Sequence, residues 1–235
     1  MYQKQNTTSS ILDWKAIHTV FLDMDGTLLD LNYDSQFWLK HLPKRYAEQK
    51  NISLETAQST ILNRYSDKLG TLEWYCVDYW SNEFDLDVGL LKEEIAHLIA
   101  VHPHVIEFLD FLRKNDKRVV LVTNAHHKSL SLKMQRTQLA HHFDQIVCAH
   151  DLGLPKEDTK FWDKLQQIEA FNSTHTLLID DSLPVLRSAA HYGIKYLLGI
   201  HQPDSQASPK PVTEFKVIHN FLDIMAQVPA LLHKS

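Results

Sequence analysis

The sequence predicts an α/β fold: a Rossmann-like parallel sheet with helices on both faces, plus a small α-helical domain inserted after the first strand. Three observations predict it. Short apolar runs such as Val119-Val120-Leu121-Val122 and Leu177-Leu178-Ile179 alternate with stretches of helical spacing. Repeated β-then-α units of this kind mean parallel strands buried on both faces. Between Asp34 and Ala100 only helical patterns occur. Finally, charged and polar residues concentrate where the apolar runs end, which in open parallel sheets is where ligands sit. With 235 residues, 44% of them hydrophobic and 23% charged, the chain can bury such a core and carry the insertion.

The first strand is predicted at Thr19–Asp23, after a polar tail at Met1–Ser10 and a lead-in at Ile11–Ile17. β-Branched and aromatic residues favour it, and Gly26 breaks it. Four helical segments follow, at Ser35–Lys50, Leu54–Leu69, Leu72–Phe84 and Leu90–Ile99. Ser53 offers an N-cap, Gly70 a stop, and Pro43 should kink or divide the first segment. Residues 31–100 therefore read as a small helical domain, and 1–30 with 101–235 as the α/β core. In that core, Val105–Leu112 has helical spacing and Arg118–Thr123 is a buried strand. A helix at Ser129–Leu139, a strand at Gln145–Ala149 and a helix at Lys160–Ala170 come next. Thr176–Asp180 is a strand, Leu183–Tyr192 a helix ended by Gly193, and Tyr196–Ile200 a strand. Gln202–Pro211, with three prolines and two serines, reads as a surface loop. A strand near Phe215–Ile218 and a helix near Asn220–Ala226 close the chain.

Several function classes are disfavoured. A net charge of −5 argues against a nucleic-acid coat. No stretch approaches the roughly 20 apolar residues that a membrane span needs, and the polar N-terminus lacks the apolar run of a signal peptide. A soluble, cytoplasmic protein is expected. Cys76 and Cys148 form no CxxC and read as free thiols of a reducing compartment. Fifteen histidines show no HExxH or Cys/His zinc spacing. The pairs His126-His127 and His141-His142 diverge on a helix and read as mostly surface residues, with His126 near the site. Neither GxxxxGK[ST] nor GxGxxG occurs.

Four strand ends deliver the candidate chemistry. Asp23-Met24-Asp25-Gly26-Thr27 follows the first strand, Thr123-Asn124 the second, Lys156 the third and Asp180-Asp181 the fourth. Each of the last three has an ordinary reading alone: a helix cap, a solvated lysine, another cap. Together they suit phosphoryl transfer. One carboxylate attacks phosphorus, and a second moves the proton. Hard oxygens suit Mg²⁺, and Thr, backbone N–H and Lys donors suit phosphoryl oxygens.

In order, these segments resemble the four motifs of the haloacid dehalogenase superfamily. The resemblance covers nearly the whole chain and implies a helical cap at residues 31–100. It also implies Asp23 as nucleophile and Asp25 as general acid/base. Mg²⁺ would be held by Asp23, the Asp25 backbone carbonyl and Asp181, with Asp180 a direct ligand or a support behind it. Thr123, Lys156 and the Asn124 backbone would grip the phosphoryl group. The commoner third motif is Lys-Pro, whereas Pro155 precedes Lys156 here, so Lys160 is the next candidate. Leu22–Trp38, Val122–His126, Gly153–Asp158 and Tyr65–Trp80 look like the bacterial GMP/IMP nucleotidases of that superfamily, which implies a purine nucleoside 5′-monophosphate. Rival readings are another small phosphate ester, such as phosphoglycolate or a sugar phosphate, transfer to a second substrate, and a non-catalytic binding module. Trp74, Tyr75, Tyr79 and Trp80 crowd one predicted helix, with Tyr75 and Tyr79 on one face. They stack on a base or form the cap's own core. Tyr33 and Asp34 face the substrate or serve the hinge.

Overall fold

The computed structural model describes residues 12–211 and 214–225; the Met1–Ser10 tail and the expected helix end at Ala226 lie outside the described residues. Among these, six strands form one sheet: β1 (Thr19–Leu22), β2 (Arg118–Thr123), β3 (Gln145–Cys148), β4 (Thr176–Ile179), β5 (Tyr196–Ile200) and β6 (Lys216–Ile218). Their order is β3-β2-β1-β4-β5-β6, and every pairing is parallel. Leu22 lies beside Leu121 on one side and Ile179 on the other, so β1, β2 and β4 end nearly level.

The chain leaves the sheet after β1 and comes back beside its own exit. Asp30 N donates to Ala100 O at 2.9 Å, and His102 N to Leu28 O at 2.9 Å. Between them lie α1 (Asn32–Gln36), a π-helical segment (Phe37–His41), α2 (Leu42–Lys50), α3 (Leu54–Ser66), α4 (Leu72–Tyr75), α5 (Val77–Phe84), α6 (Val88–Glu94) and a 3₁₀ turn at Ala96–Leu98. Phe37, Tyr46, Ile61, Tyr65, Trp80 and Phe84 give this block its own buried core. Ser53 caps α3 as expected, its Oγ accepting from Thr56 N at 3.1 Å. Two sequence expectations are corrected. The first helix starts at Asn32, not Ser35, and passes through the π segment before Pro43, which has no N–H for the ladder. The segment Leu72–Phe84 is two helices, because Cys76 is extended (φ −84°, ψ 109°). Cys76 Sγ accepts from Tyr79 N at 3.4 Å, and Trp80 Nε1 donates to Trp74 O at 2.9 Å. These bonds satisfy backbone groups freed by the break, and Tyr75 and Tyr79 do not share one helix face.

Side chains alternate across the sheet. Val20, Leu22, Val119, Leu121, Leu177 and Ile179 pack on one face, against Phe108 and Leu112 of α7 (Val105–Lys114) and Leu130 and Met134 of α8 (His127–Thr137). After β3 comes one turn, α9 (Ala149–Leu152), which the periodicity does not show. Phe21, Val120, Val122 and Leu178 pack on the opposite face, against Phe161, Trp162 and Leu165 of α10 (Thr159–Ile168) and Val185, Leu186 and Ala189 of α11 (Leu183–Tyr192). The last described helix, α12 (Leu222–Met225), is tied to the lead-in by Trp14 Nε1, which donates to Ile224 O at 2.8 Å. The 202–211 loop does more than cover surface: its buried Pro203 accepts from Leu31 N at 2.9 Å, where the helical block begins. Among the described residues no helix is long and apolar enough to cross a membrane.

Candidate active site

β1 and β4 are adjacent at the place where the strand order reverses. Connections diverge there, and a crevice opens beyond the strands' carboxyl ends. Asp23 follows β1 and is still held in the sheet, its N donating to Ile179 O at 3.1 Å. Asp180 and Asp181 follow β4, Thr123 ends β2, and Lys156 follows α9. Asp23, Asp25, Thr123, Asn124, Lys156, Asp180 and Asp181 all line one cleft of about 530 Å³.

Lys156 is the buried centre of this group, 1% exposed. Its Nζ lies 2.6 Å from Asp23 Oδ1 and 2.7 Å from Asp180 Oδ2, and donates to Val122 O at 3.0 Å. The other Asp180 oxygen accepts from Ser182 N at 2.9 Å, so both oxygens of this carboxylate are engaged. Asn124 steadies the lysine loop: its Oδ1 accepts from Lys156 N at 2.9 Å and its Nδ2 donates to Glu157 Oε2 at 2.9 Å. Thr123 Oγ1 accepts from Ala125 N at 3.0 Å, which leaves the hydroxyl proton for an incoming oxygen. Lys160, the alternative third-motif lysine, is exposed.

Burial pushes Asp23 up to about 6, with Lys156 opposing and Asp180 adding to the push. Asp180 is likewise pushed up to about 6 by burial, and Asp181 is raised by burial against Lys210. Oxygens of Asp23, Asp180 and Asp181 lie within 4.8 Å of one another. These three carboxylates face two ammonium groups, Lys156 and the half-exposed Lys210, whose Nζ is 2.8 Å from Asp181 Oδ2. A crowded, hard-oxygen set with surplus negative charge fits a hard divalent cation. Gly26 makes room for the Asp181 side chain. At φ +82° an added Cβ would fall 2.7 Å from Asp181 Cγ. Gly26→Ala is expected to cost about 1–3 kcal/mol by strain and overpacking, read in urea unfolding, and to weaken divalent binding by displacing Asp181.

A second buried network was not legible as a motif. Lys133 Nζ lies 2.6 Å from Asp25 Oδ1 and 2.6 Å from Asp34 Oδ2, and Lys92 Nζ lies 3.0 Å from Asp34 Oδ1. The Lys133–Asp25 contact is close but poorly aligned for a hydrogen bond. Burial pushes Asp25 up to about 6, with Lys133 opposing; against burial, Lys133 and Lys92 hold Asp34 at about 2. The signal in the sequence was position: Lys133 adjoins buried Met134 and shares a helix face with Leu130, and Lys92 shares one with Val88. A lysine on an inward face requires a buried partner.

Next to Asp25 a smaller cavity of about 290 Å³ reaches into the helical block, lined by Asp34, Ser35, Trp38, Trp74, Tyr75 and Lys92 among others. Trp74 and Tyr75 line both cavities. Tyr65 and Trp80 are buried at its back, with ring centroids 5.0 Å apart. The aromatic cluster is thus core and cavity wall at once. Tyr75 also reaches the core, its hydroxyl donating to Glu157 Oε1 at 2.5 Å. Tyr33 is corrected. It is 1% exposed, donates to Lys92 O at 2.9 Å, and stands behind Asp34 instead of lining either cavity. Tyr79 lines neither cavity.

A family model for haloacid dehalogenase-like hydrolases matches residues 20–198. GMP/IMP nucleotidase YrfG of Escherichia coli (strain K12) is 35% identical over 219 residues, 93% of this chain and 97% of that protein. Pyrimidine 5′-nucleotidase YjjG of the same organism is 24% identical over 108 residues, 44% of this chain and 48% of that one. A HAD phosphatase from Thermococcus onnurineus superposes with a TM-score of 0.75 at 20% identity, over 89% of this chain and 97% of that one, and shows the same fold.

Proposed function

Because the chain belongs to the haloacid dehalogenase-like hydrolases, we propose that it is a Mg²⁺-dependent phosphomonoesterase acting on a purine nucleoside 5′-monophosphate, GMP or IMP. The observation that carries the proposal is the meeting of Asp23, Asp25, Lys156 and Asp181 in one cleft, with an aromatic cavity opening beside Asp25. The similarity to YrfG supports the choice of base.

Asp23 attacks phosphorus with a carboxylate oxygen, and the bond from phosphorus to the ribose 5′-oxygen breaks. Asp25 gives that oxygen its proton and then takes one from a water that attacks the same phosphorus. The bond to Asp23 breaks, and phosphate and the carboxylate are restored. Lys156, Thr123 and the Asn124 backbone hold the phosphoryl oxygens. Mg²⁺, held by the Asp23 and Asp181 side chains and the Asp25 backbone carbonyl, would offset repulsion between carboxylate and phosphate. Residues 31–100 serve as a cap that closes over the site and excludes bulk water. Trp74 and Trp38 offer the base a stacking wall, worth roughly 1–3 kcal/mol per base, and Asp34, Ser35 and Lys92 offer polar contacts. A cytoplasmic enzyme is part of the proposal, in keeping with the free thiols Cys76 and Cys148.

Phosphate release from GMP, IMP, AMP, UMP, phosphoglycolate and glucose 6-phosphate, with Mg²⁺ or a chelator, tests this. GMP and IMP are expected to lead in kcat/KM by about tenfold or more, and only with Mg²⁺. Equal rates across the panel would end the purine assignment, and undiminished rates in chelator the metal assignment.

Lys133 supports Asp25 without touching substrate. Its charge favours the Asp25 carboxylate, so its removal raises the pKa of a group already pushed up to about 6. A general acid works protonated, so activity falls as pH rises through that pKa. Lys133→Met is expected to move the alkaline limb of the kcat/KM profile to higher pH, and Lys133→Arg to leave it near the wild-type position. An unmoved limb in Lys133→Met would contradict the coupling.

A further inference from the structure

One cluster of reactive side chains has no part in the chemistry above. Cys76 sits at the break between α4 and α5, His126 at the N-cap of α8, and His150 in α9. One sulfur and two ring nitrogens from these residues lie within 4.8 Å of one another. Cys76 belongs to the helical block, and both histidines to the ends of β2 and β3. The group therefore spans the two packed units, which is why no local spacing announces it.

Ring packing alone does not account for it. His126 and His150 meet edge to face with centroids 5.0 Å apart, yet this leaves His150 Nε2 buried with no hydrogen-bond partner among the described residues. A buried unpaired nitrogen costs about 1–3 kcal/mol unless something occupies the place. His126 Nδ1 accepts from Lys128 N at 3.4 Å, so Nε2 is the free nitrogen, 3.6 Å from Asp78 Oδ2. One thiol and two imidazoles form a borderline-soft set, unlike the all-oxygen set in the cleft.

We propose that Cys76, His126 and His150 bind a Zn²⁺ ion that pins the helical block to the core. Zinc takes sulfur at about 2.3 Å and imidazole nitrogen at about 2.0–2.1 Å, usually with four ligands. Small side-chain rotations draw the three donors together, and Asp78 or a water completes the set. The thiol releases its proton to solvent as the ion binds. Neighbouring contacts already join the two units here, Tyr75 with Glu157 and Asp78 with Lys128 at 2.6 Å. The ion adds a cross-link that must break before the block swings away from the cleft.

Cobalt(II) is the probe, added to the full chain with Mg²⁺ in excess. Wild-type protein is expected to bind one equivalent and to show a thiolate-to-cobalt charge-transfer band, which an oxygen site does not produce, together with visible bands of tetrahedral coordination. Zn²⁺ should erase both. Cys76→Ser should lose the charge-transfer band, and His150→Ala should weaken binding by roughly 100-fold or more. Cys148→Ser is the control, because Cys148 lies in a neighbouring group with His127 and Asp151; it should keep the band. Circular dichroism checks that each variant is folded. A wild-type spectrum without the band, a band that survives Cys76→Ser, or one lost in Cys148→Ser instead, overturns the proposal.

Discussion

Asp23→Asn is expected to lower phosphate release by on the order of 10,000-fold while the protein stays folded. The amide is nearly isosteric and keeps the strand-end bond to Ile179 O, but its oxygen does not displace an alcohol from phosphorus. Stability separates this from a folding defect. Asp23 is pushed from 3.8 in its unperturbed state to about 6 by burial. The folded state therefore holds more protons than the unfolded one between those values, and stability falls as pH rises through that window. Above it the ionised side chain is a cost, which Asn removes. In metal-free buffer the melting temperature of Asp23→Asn should equal or exceed that of wild type at neutral pH. Lost activity with a lowered melting temperature would count against the nucleophile role.

Lys156→Met is expected to damage both stability and turnover. The ammonium lies between Asp23 and Asp180 at 2.6 and 2.7 Å. Methionine fills the space but leaves two buried carboxylates without their shared cation. Breaking such a group costs about 3–5 kcal/mol. The loss depends on pH in a defined sense. Lys156 lowers the pKa of both carboxylates, so without it both rise further and protonation relieves the strain. The destabilisation should be larger near pH 8 than near pH 5 in chemical denaturation. In turnover, one donor to the phosphoryl oxygens is gone, which typically costs about 100- to 1,000-fold in kcat.

The sheet was legible because its strands are apolar on both faces and end in polar residues; the observed strands fall within the predicted runs and pair in parallel. Asp23, Asp25, Thr123, Lys156, Asp180 and Asp181 meet because each ends a strand, or follows one, on the same edge. What escaped the sequence depends on contacts between distant residues. The break at Cys76 is held by bonds from Tyr79 N and Trp80 Nε1, within a stretch whose periodicity suits one helix. Lys92 and Lys133 lie on inward helix faces, but no local spacing names their partners until Asp25 and Asp34 are brought beside them. Lys210 lies in a loop read as surface, yet it reaches Asp181 across the sheet end. Tyr33 stood in a plausible place, but helix α1 turns it away from the cavity and its hydroxyl is taken by Lys92 O.

The division of labour between Asp23 and Asp25 is open to direct measurement. Asp25→Asn lacks both the acid for the departing 5′-oxygen and the base that activates water, so with an aryl phosphate, whose phenolate leaves without a proton, the phosphoryl group should pass to the nucleophile and remain there. The variant is mixed with Mg²⁺ and p-nitrophenyl phosphate, quenched in acid and digested, and the phosphorylated peptide is sequenced by mass spectrometry. The expected result is one phosphoryl group on Asp23. Phosphate on another residue, or turnover by Asp25→Asn at the wild-type rate, would contradict the two-step transfer through Asp23.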